Sequence, residues 1–65
     1  MEKFEKDYTI RYNTRDRKTK KEAYDNVFTV TAYTEINAIN KLLNMLEYTK
    51  KDLIRINLIG YKVEG

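Results

Sequence analysis

Apolar and polar residues alternate along three separate stretches of the chain. Tyr8, Ile10 and Tyr12 alternate with polar neighbours, which is the two-residue period of a half-buried β-strand. The second stretch is dominated by valine, threonine and aromatic residues, which suit a pleated surface, and the third is the most apolar part of the sequence. The pattern therefore predicts three strands, at residues 8–13, 26–33 and 53–63.

The alternation changes parity within the third stretch. Ile54 and Ile56 share one face, whereas Tyr61 and Val63 continue at the opposite parity. Glycine inside a strand often marks a bulge or a bend, so a bulge at Gly60 would return Tyr61 and Val63 to the core side of the sheet. We therefore expect Gly60 to be the irregular point of this strand.

A helix is predicted between the second and third strands. Thr34 suits the N-cap position, and Glu35 follows in the first turn, where a negative charge interacts favourably with the helix dipole. Apolar residues then recur at helical spacing over about fourteen residues, with asparagine and charged residues on the opposite arc. Together the helix and strands predict a core of Tyr8, Ile10, Tyr12, Phe28, Val30, Ala32, Ala38, Ile39, Leu42, Leu46, Ile54, Ile56 and Leu58.

The order of the elements predicts the α+β class. A single domain fits the length of 65 residues. We expect a two-layer ββαβ sandwich, in which one helix covers one face of a three-stranded antiparallel sheet of strand order 2-1-3.

The composition argues against an enzyme. The chain has no cysteine and no histidine, so neither a Cys–His or Ser–His pair nor a zinc site of the usual kind can form. It has only two glycines, and none of the glycine-rich phosphate-binding motifs occurs. We therefore expect a protein that is not an enzyme and that uses no cofactor and no metal.

The positive charge is concentrated in the predicted loop between the first two strands. The net charge is +3, and residues 15–21 contain five cations against one carboxylate. A basic hairpin tip is typical of an element that contacts the phosphates of nucleic acid, although a solvated charged loop is an equally good interpretation. The predicted contacts are Arg15, Arg17, Lys18, Lys20 and Lys21, supported by Arg11 and Arg55.

Sequence preference is expected to be slight for DNA or RNA, because the helix carries asparagine rather than arginine on its exposed face. The sheet face away from the helix is a second candidate surface, since cations and an aromatic ring can hold a single strand there. The residues predicted on that face are Arg11, Thr29, Thr31, Tyr33, Arg55 and Asn57, with Val27 and Ile59 between them.

A protein-binding function of a different class remains open. Lysine, asparagine, isoleucine and tyrosine are abundant, which indicates an A/T-rich gene such as that of a phage or another mobile element. Such an accessory protein would bind and inhibit a host replication, transcription or defence factor, and a homodimer through an edge strand is a further alternative. The predicted partner-binding residues are Tyr24, Tyr33, Asn37, Asn40, Asn44 and Tyr48.

The hydropathy pattern predicts neither a membrane span nor a signal peptide. No apolar stretch approaches the ~18 residues of a spanning helix. The N-terminal sequence MEKFEKD has no apolar segment of the kind found in cleaved signals. We therefore expect no membrane partner and a cytoplasmic protein, in the host cytoplasm if the gene is viral.

Residues 28–59 read FTVTAYTEINAINKLLNMLEYTKKDLIRINLI, a strand, a helix, a basic connector and an alternating strand. This half of the chain resembles the strand–helix–strand core of the archaeal ribosomal protein LX family. That family has a basic turn rich in glycine and serine after the helix, where this chain has Tyr48-Thr49-Lys50-Lys51-Asp52. The resemblance implies a small ββαβ fold.

Overall fold

The computed structural model describes residues 4–63. It contains three strands and one helix, and the strands form an antiparallel sheet of order β2-β1-β3, with β1 in the centre. The predicted α+β class and strand order are therefore confirmed. The elements are β1 (Lys6–Asp16), β2 (Glu22–Ala32), α1 (Glu35–Tyr48) and β3 (Lys51–Val63).

The first two strands are longer than the alternation predicts at the hairpin. Thr14 is buried and pairs with Ala23 on one side and Leu53 on the other, and Arg15 pairs with Glu22. The polar run therefore continues the sheet, and only residues 17–21 form the loop. β2 also ends at Ala32, one residue earlier than predicted, where the chain turns toward the helix.

The core lies between one face of the sheet and α1. The predicted core residues Phe28, Val30, Ile39 and Ile56 pack at its margin, together with Leu53, Ile59 and Met45, which were not predicted. The buried hydrophobic residues among those described are Tyr8, Ile10, Tyr12, Ala32, Ala38, Leu42 and Leu46.

The register of β3 corrects two core predictions. Ile54 and Leu58 are exposed, whereas Leu53, Ile56 and Ile59 pack toward the helix. The reason is that β3 has one extra residue between the partners of Arg11 and Tyr12, and another between the partners of Asn13 and Thr14. Each extra residue reverses the alternation of side chains, so the apolar positions recur every third residue instead of every second. The prediction that Ile59 lies on the open face is wrong for the same reason.

Gly60 is not a bulge. It pairs in regular register with Thr9, and the residues on either side of it continue that register. Tyr61 lies opposite Tyr8 and so faces the helix side, as predicted, because the extra residue between Ile56 and Leu58 has already changed the parity. Tyr61 and Val63 nevertheless remain exposed.

Both ends of α1 are fixed by the local sequence. The Thr34 hydroxyl accepts a hydrogen bond from the Asn37 backbone N–H at 3.1 Å, which confirms the predicted N-cap. At the other end Lys50 has a φ of 62°, the left-handed conformation that usually terminates a helix at a glycine. Its N–H donates to the Glu47 carbonyl, and the chain then enters β3.

Asn13 in the central strand joins the irregular points of both edge strands. β2 carries an extra residue near Asp25, whose φ is 54°. The Asn13 side-chain oxygen accepts from the Asp25 N–H at 3.0 Å and from the Asn57 side-chain amide at 2.8 Å. The bulges therefore lie side by side on the sheet face opposite the helix. Among the described residues, no helix is long and apolar enough to cross a membrane.

Candidate functional site

The hairpin loop at residues 17–21 is organised by Asp16. Its carboxylate accepts hydrogen bonds from the backbone N–H groups of Lys18, at 2.8 Å, and Thr19, at 2.9 Å. These hydrogen bonds hold the pKa of Asp16 below its usual value. Lys20 adopts a φ of 66°, and the Asp16 N–H donates to the Lys21 carbonyl at 2.8 Å to close the loop. The loop is therefore built from backbone contacts that leave the lysine side chains exposed.

Arg17 joins this loop to the rest of the molecule. Its backbone N–H donates to the Lys50 carbonyl at 3.1 Å. Its guanidinium donates to Glu47 at 2.7 Å and to Asp52 at 2.8 Å. Glu47 lies in the last turn of α1, and Asp52 lies at the start of β3. The hydrogen bond from Arg17 lowers the pKa of Glu47, and the two carboxylates raise the pKa of Arg17. The charge of Arg17 is thus balanced within the fold.

Arg15 is also engaged in an internal ion pair. Its guanidinium donates to Glu22, its neighbour across the hairpin, and Glu22 accepts a second hydrogen bond from the Tyr24 hydroxyl. The pKa of Glu22 is lowered by these donors, first by Arg15, and the pKa of Tyr24 is raised by Glu22. The Tyr24 ring is therefore fixed on the sheet surface at the base of the loop while remaining exposed.

Four lysines surround this scaffold, and we call them the lysine end: Lys18, Lys20, Lys21 and Lys50. All four are exposed. Among the cations of the described residues, only Arg15 and Arg17 form salt bridges. Lys50 was not among the predicted contacts. The Arg17–Lys50 backbone contact places it here, and the only sequence signal for it is its position just after the predicted helix.

The region that comprises the lysine end and its scaffold carries the whole positive excess of the chain. Seven cations and four carboxylates lie in this region, so its charge equals the net +3 of the sequence and the remaining charges cancel. The residues counted are Arg15, Asp16, Arg17, Lys18, Lys20, Lys21, Glu22, Glu47, Lys50, Lys51 and Asp52. A localised excess of this kind attracts polyanions more strongly than the same charge spread evenly.

The open face of the sheet presents Arg11 and Arg55 away from this end. Arg11 lies between Val27 and Leu58 in one row across the three strands, and Arg55 lies opposite Asn13. Thr29 and Thr31 lie on the same face, as predicted, and the Thr31 hydroxyl donates to the Asp7 carboxylate at 3.0 Å. Tyr33 does not lie there, because β2 ends before it. Tyr24 is the aromatic residue that joins this face, through Glu22.

Four of the six predicted partner-binding residues come together at the other end. Tyr33, Asn37, Asn40 and Asn44 line a shallow groove of about 330 Å³ between β2 and α1, together with Glu5, Ala32 and Lys41. Tyr24 and Tyr48 lie outside it, and Tyr48 is exposed at the end of the helix. Three of the seven lining residues are asparagines, so side-chain amides are its commonest polar group.

The described residues contain no cluster of three or more carboxylates that could hold a metal ion. Comparison with known proteins gives no family model, no curated protein and no solved structure that matches this chain. No family match therefore supports the resemblance to the ribosomal LX family.

Proposed function

We propose that this protein is a non-enzymatic module that binds nucleic acid through the phosphate backbone. The observation that supports the proposal is the lysine end, where Lys18, Lys20, Lys21 and Lys50 project from one rigid scaffold. Lysine ammonium groups attract phosphate as point charges without reading sequence, so the binding has little sequence preference. We place the protein in the cytoplasm, where nucleic acid is accessible.

The proposal gives the four predicted arginines two different roles. Arg15 and Arg17 hold the hairpin in shape through Glu22, Glu47 and Asp52, so they position the lysines rather than supply the affinity. Arg11 and Arg55 lie on the open face and extend the contact when a strand crosses the sheet. Tyr24 provides an exposed ring between these two cationic regions, on which an unpaired base can stack.

The test is a titration of labelled duplex DNA, duplex RNA and single-stranded DNA and RNA of random sequence. Fluorescence anisotropy is followed between about 50 and 200 mM salt, because phosphate contacts release counterions and weaken steeply over that range. The expected result is a micromolar dissociation constant at the low-salt end with a steep salt slope. Absence of binding at about 50 mM salt would refute the proposal.

Two triple variants locate the binding surface. Lys18→Gln, Lys21→Gln and Lys50→Asn together should weaken binding at least ~10-fold and reduce the salt slope by about 3, since each neutralised phosphate contributes about one to that slope. The matched control removes the same charge elsewhere: Lys6→Gln, Lys41→Gln and Lys62→Gln. An equal weakening in both variants would show a general charge effect and contradict the assignment to the lysine end.

A further inference from the structure

Three rows of side chains cross the open face of the sheet beyond the pair of Arg15 and Glu22. Each row takes one residue from β2, one from β1 and one from β3. Tyr24 belongs to the first row, because the β2 bulge places it and Asp25 opposite Asn13. From the lysine end outwards, the rows are Tyr24–Asn13–Arg55, Val27–Arg11–Leu58 and Thr29–Thr9–Gly60. All these residues are exposed except Asn13, which is half-buried.

The cationic surface of the lysine end continues onto these rows. They contain Arg11 and Arg55, and the β2 bulge adds the carboxylate of Asp25, so two positive charges are set against one negative charge. Among residues 4–63 neither of these arginines forms a salt bridge, whereas the Asp25 carboxylate accepts from the Asn57 amide at 3.3 Å. A guanidinium group that has no carboxylate partner within the fold can bind a phosphate group with two hydrogen bonds.

Exposed apolar surface alternates with these cations. Tyr24, Val27 and Leu58 expose 67%, 57% and 58% of their full accessible area, and Val27 and Leu58 lie on either side of Arg11. The Tyr24 hydroxyl donates to Glu22, which fixes the ring at the first row. Nucleic acid bases can stack on such groups only in an unpaired strand, because in a duplex their faces are covered by the neighbouring bases.

Gly60 in the third row is a glycine that the fold itself does not require. It pairs in regular register inside β3, it has no left-handed φ, and a Cβ atom placed on it would meet no atom within 4 Å. Glycine inside a strand lowers stability, and one reason for its presence is the close approach of another molecule. Beside the row of Arg11, the sugar–phosphate backbone of a bound strand accounts for such an approach.

We propose that the open face binds a single-stranded segment of nucleic acid, which runs from the lysine end past Tyr24 and Arg11 to Gly60. The inference rests on the proposed function and narrows its ligand, because the lysine end attracts any polyanion whereas the open face selects an unpaired strand. The distance from the row of Arg15 to the row of Gly60 is six residues of β1, or about 20 Å at ~3.3 Å per residue.

The first experiment compares oligothymidylate of about 15 nucleotides with a duplex of the same length, by fluorescence anisotropy at about 50 mM salt. The single strand should bind at least ~5-fold more tightly, because a stacked base contributes about this factor. Tyr24→Ala should remove most of this preference and leave the duplex affinity unchanged, whereas Tyr24→Phe, which retains the ring, should preserve it. Tyr48→Ala is the matched control, since it removes an exposed tyrosine from the end of the helix instead.

The outcomes separate this inference from the proposed function. Equal affinity for single strand and duplex would overturn the inference and leave phosphate binding at the lysine end in place. The same conclusion would follow if Tyr24→Ala weakened both ligands equally. Absence of binding to either ligand would overturn both proposals.

Gly60→Thr tests the close approach without changing any charge or ring. Its side chain enters open space on a strand and threonine favours strands, so the melting temperature should stay level or rise. The affinity for the single strand should nevertheless fall at least ~5-fold, about the loss of one stacked base. Gly60→Ala adds less volume and should weaken binding less. If both variants bound the single strand as tightly as the wild type, the path across Gly60 would be wrong.

Discussion

Among residues 4–63, three residues take the left-handed backbone conformation without being glycine, and each lies where the chain changes direction. They are Lys20 in the hairpin loop, Asp25 at the bulge of β2 and Lys50 after α1. A non-glycine residue in this region costs roughly 1 kcal/mol relative to glycine. Lysine at two of these positions is more easily understood when its charge is needed there, in agreement with the proposed role of the lysine end.

Lys50→Gly should therefore stabilise the fold while weakening the proposed binding. We expect the free energy of unfolding to rise by about 0.5–1 kcal/mol, because glycine adopts the φ of this position without steric cost. Chemical denaturation measures the change. The same substitution at Lys41, inside the helix, should destabilise by about 1 kcal/mol. A decrease in stability in both variants would argue against the backbone explanation.

The ion pairs of the hairpin make stability depend on acid pH. The pKa values of Glu47, Glu22 and Asp16 are lowered in the fold, first by Arg17, by Arg15 and by backbone N–H groups, respectively. A carboxylate of this kind stabilises the folded state above its unfolded pKa, which is near 4, and this contribution is lost as the pH falls through the lower folded value. We expect stability to be level between about pH 5 and 7 and to fall below about pH 4.5.

Arg17→Gln should separate its structural role from any direct binding of nucleic acid. Thermal melting at pH 7 should occur at a lower temperature than in the wild type, and the acid-induced decrease should be shallower, because Glu47 no longer has its main partner. Lys18→Gln, which removes the same charge from the same loop, should follow the wild-type curve. If the two variants gave the same pH dependence, the ion pairs of Arg17 would not contribute to stability.

At the level of the elements, alternation and capping predict much of the structure. The three strands, the helix beginning after Thr34 and the strand order follow from local patterns that tertiary packing preserves. The register of β3 does not follow from local patterns, because an extra residue can be placed wherever the central strand tolerates it. Here Asn13 accepts hydrogen bonds from both bulged neighbours, an interaction between residues far apart in sequence. The same limit applies to the site, where Arg17 meets carboxylates 30 and 35 residues away.

The corrected register can be tested by comparing two residues of β3. Ile56→Ala should lower the free energy of unfolding by about 2 kcal/mol, because Ile56 packs against the core. Leu58→Ala should cost less than about 1 kcal/mol, because Leu58 is exposed on the open face. Urea denaturation of both variants gives the comparison. A larger destabilisation by Leu58→Ala than by Ile56→Ala would support the regular alternation that the sequence predicts and contradict the two bulges.

As a whole, the molecule is elongated, and its parts are unequally protected against local opening. Its principal extents are 44, 19 and 13 Å, and the central strand β1 is paired on both edges while β2 and β3 are each paired on one. Local opening is expected to be rarest where pairing and burial coincide, at residues 8–12 of β1 and in the middle of α1. The two edge strands should show similar amide exchange in an isolated chain, since about half of the backbone N–H groups of each point away from the sheet.

Hydrogen exchange can therefore show which edge another copy covers. In dilute protein the outward amides of β2 and β3 should exchange at similar, fast rates. As concentration rises, a homodimer through an edge strand should protect the outward amides of the strand that it covers and leave those of the other edge unchanged, because burial in the dimer adds to the stability of that edge. Dilution should abolish the difference without altering β1. Equal exchange at both edges at every concentration would contradict a homodimer formed through one edge strand.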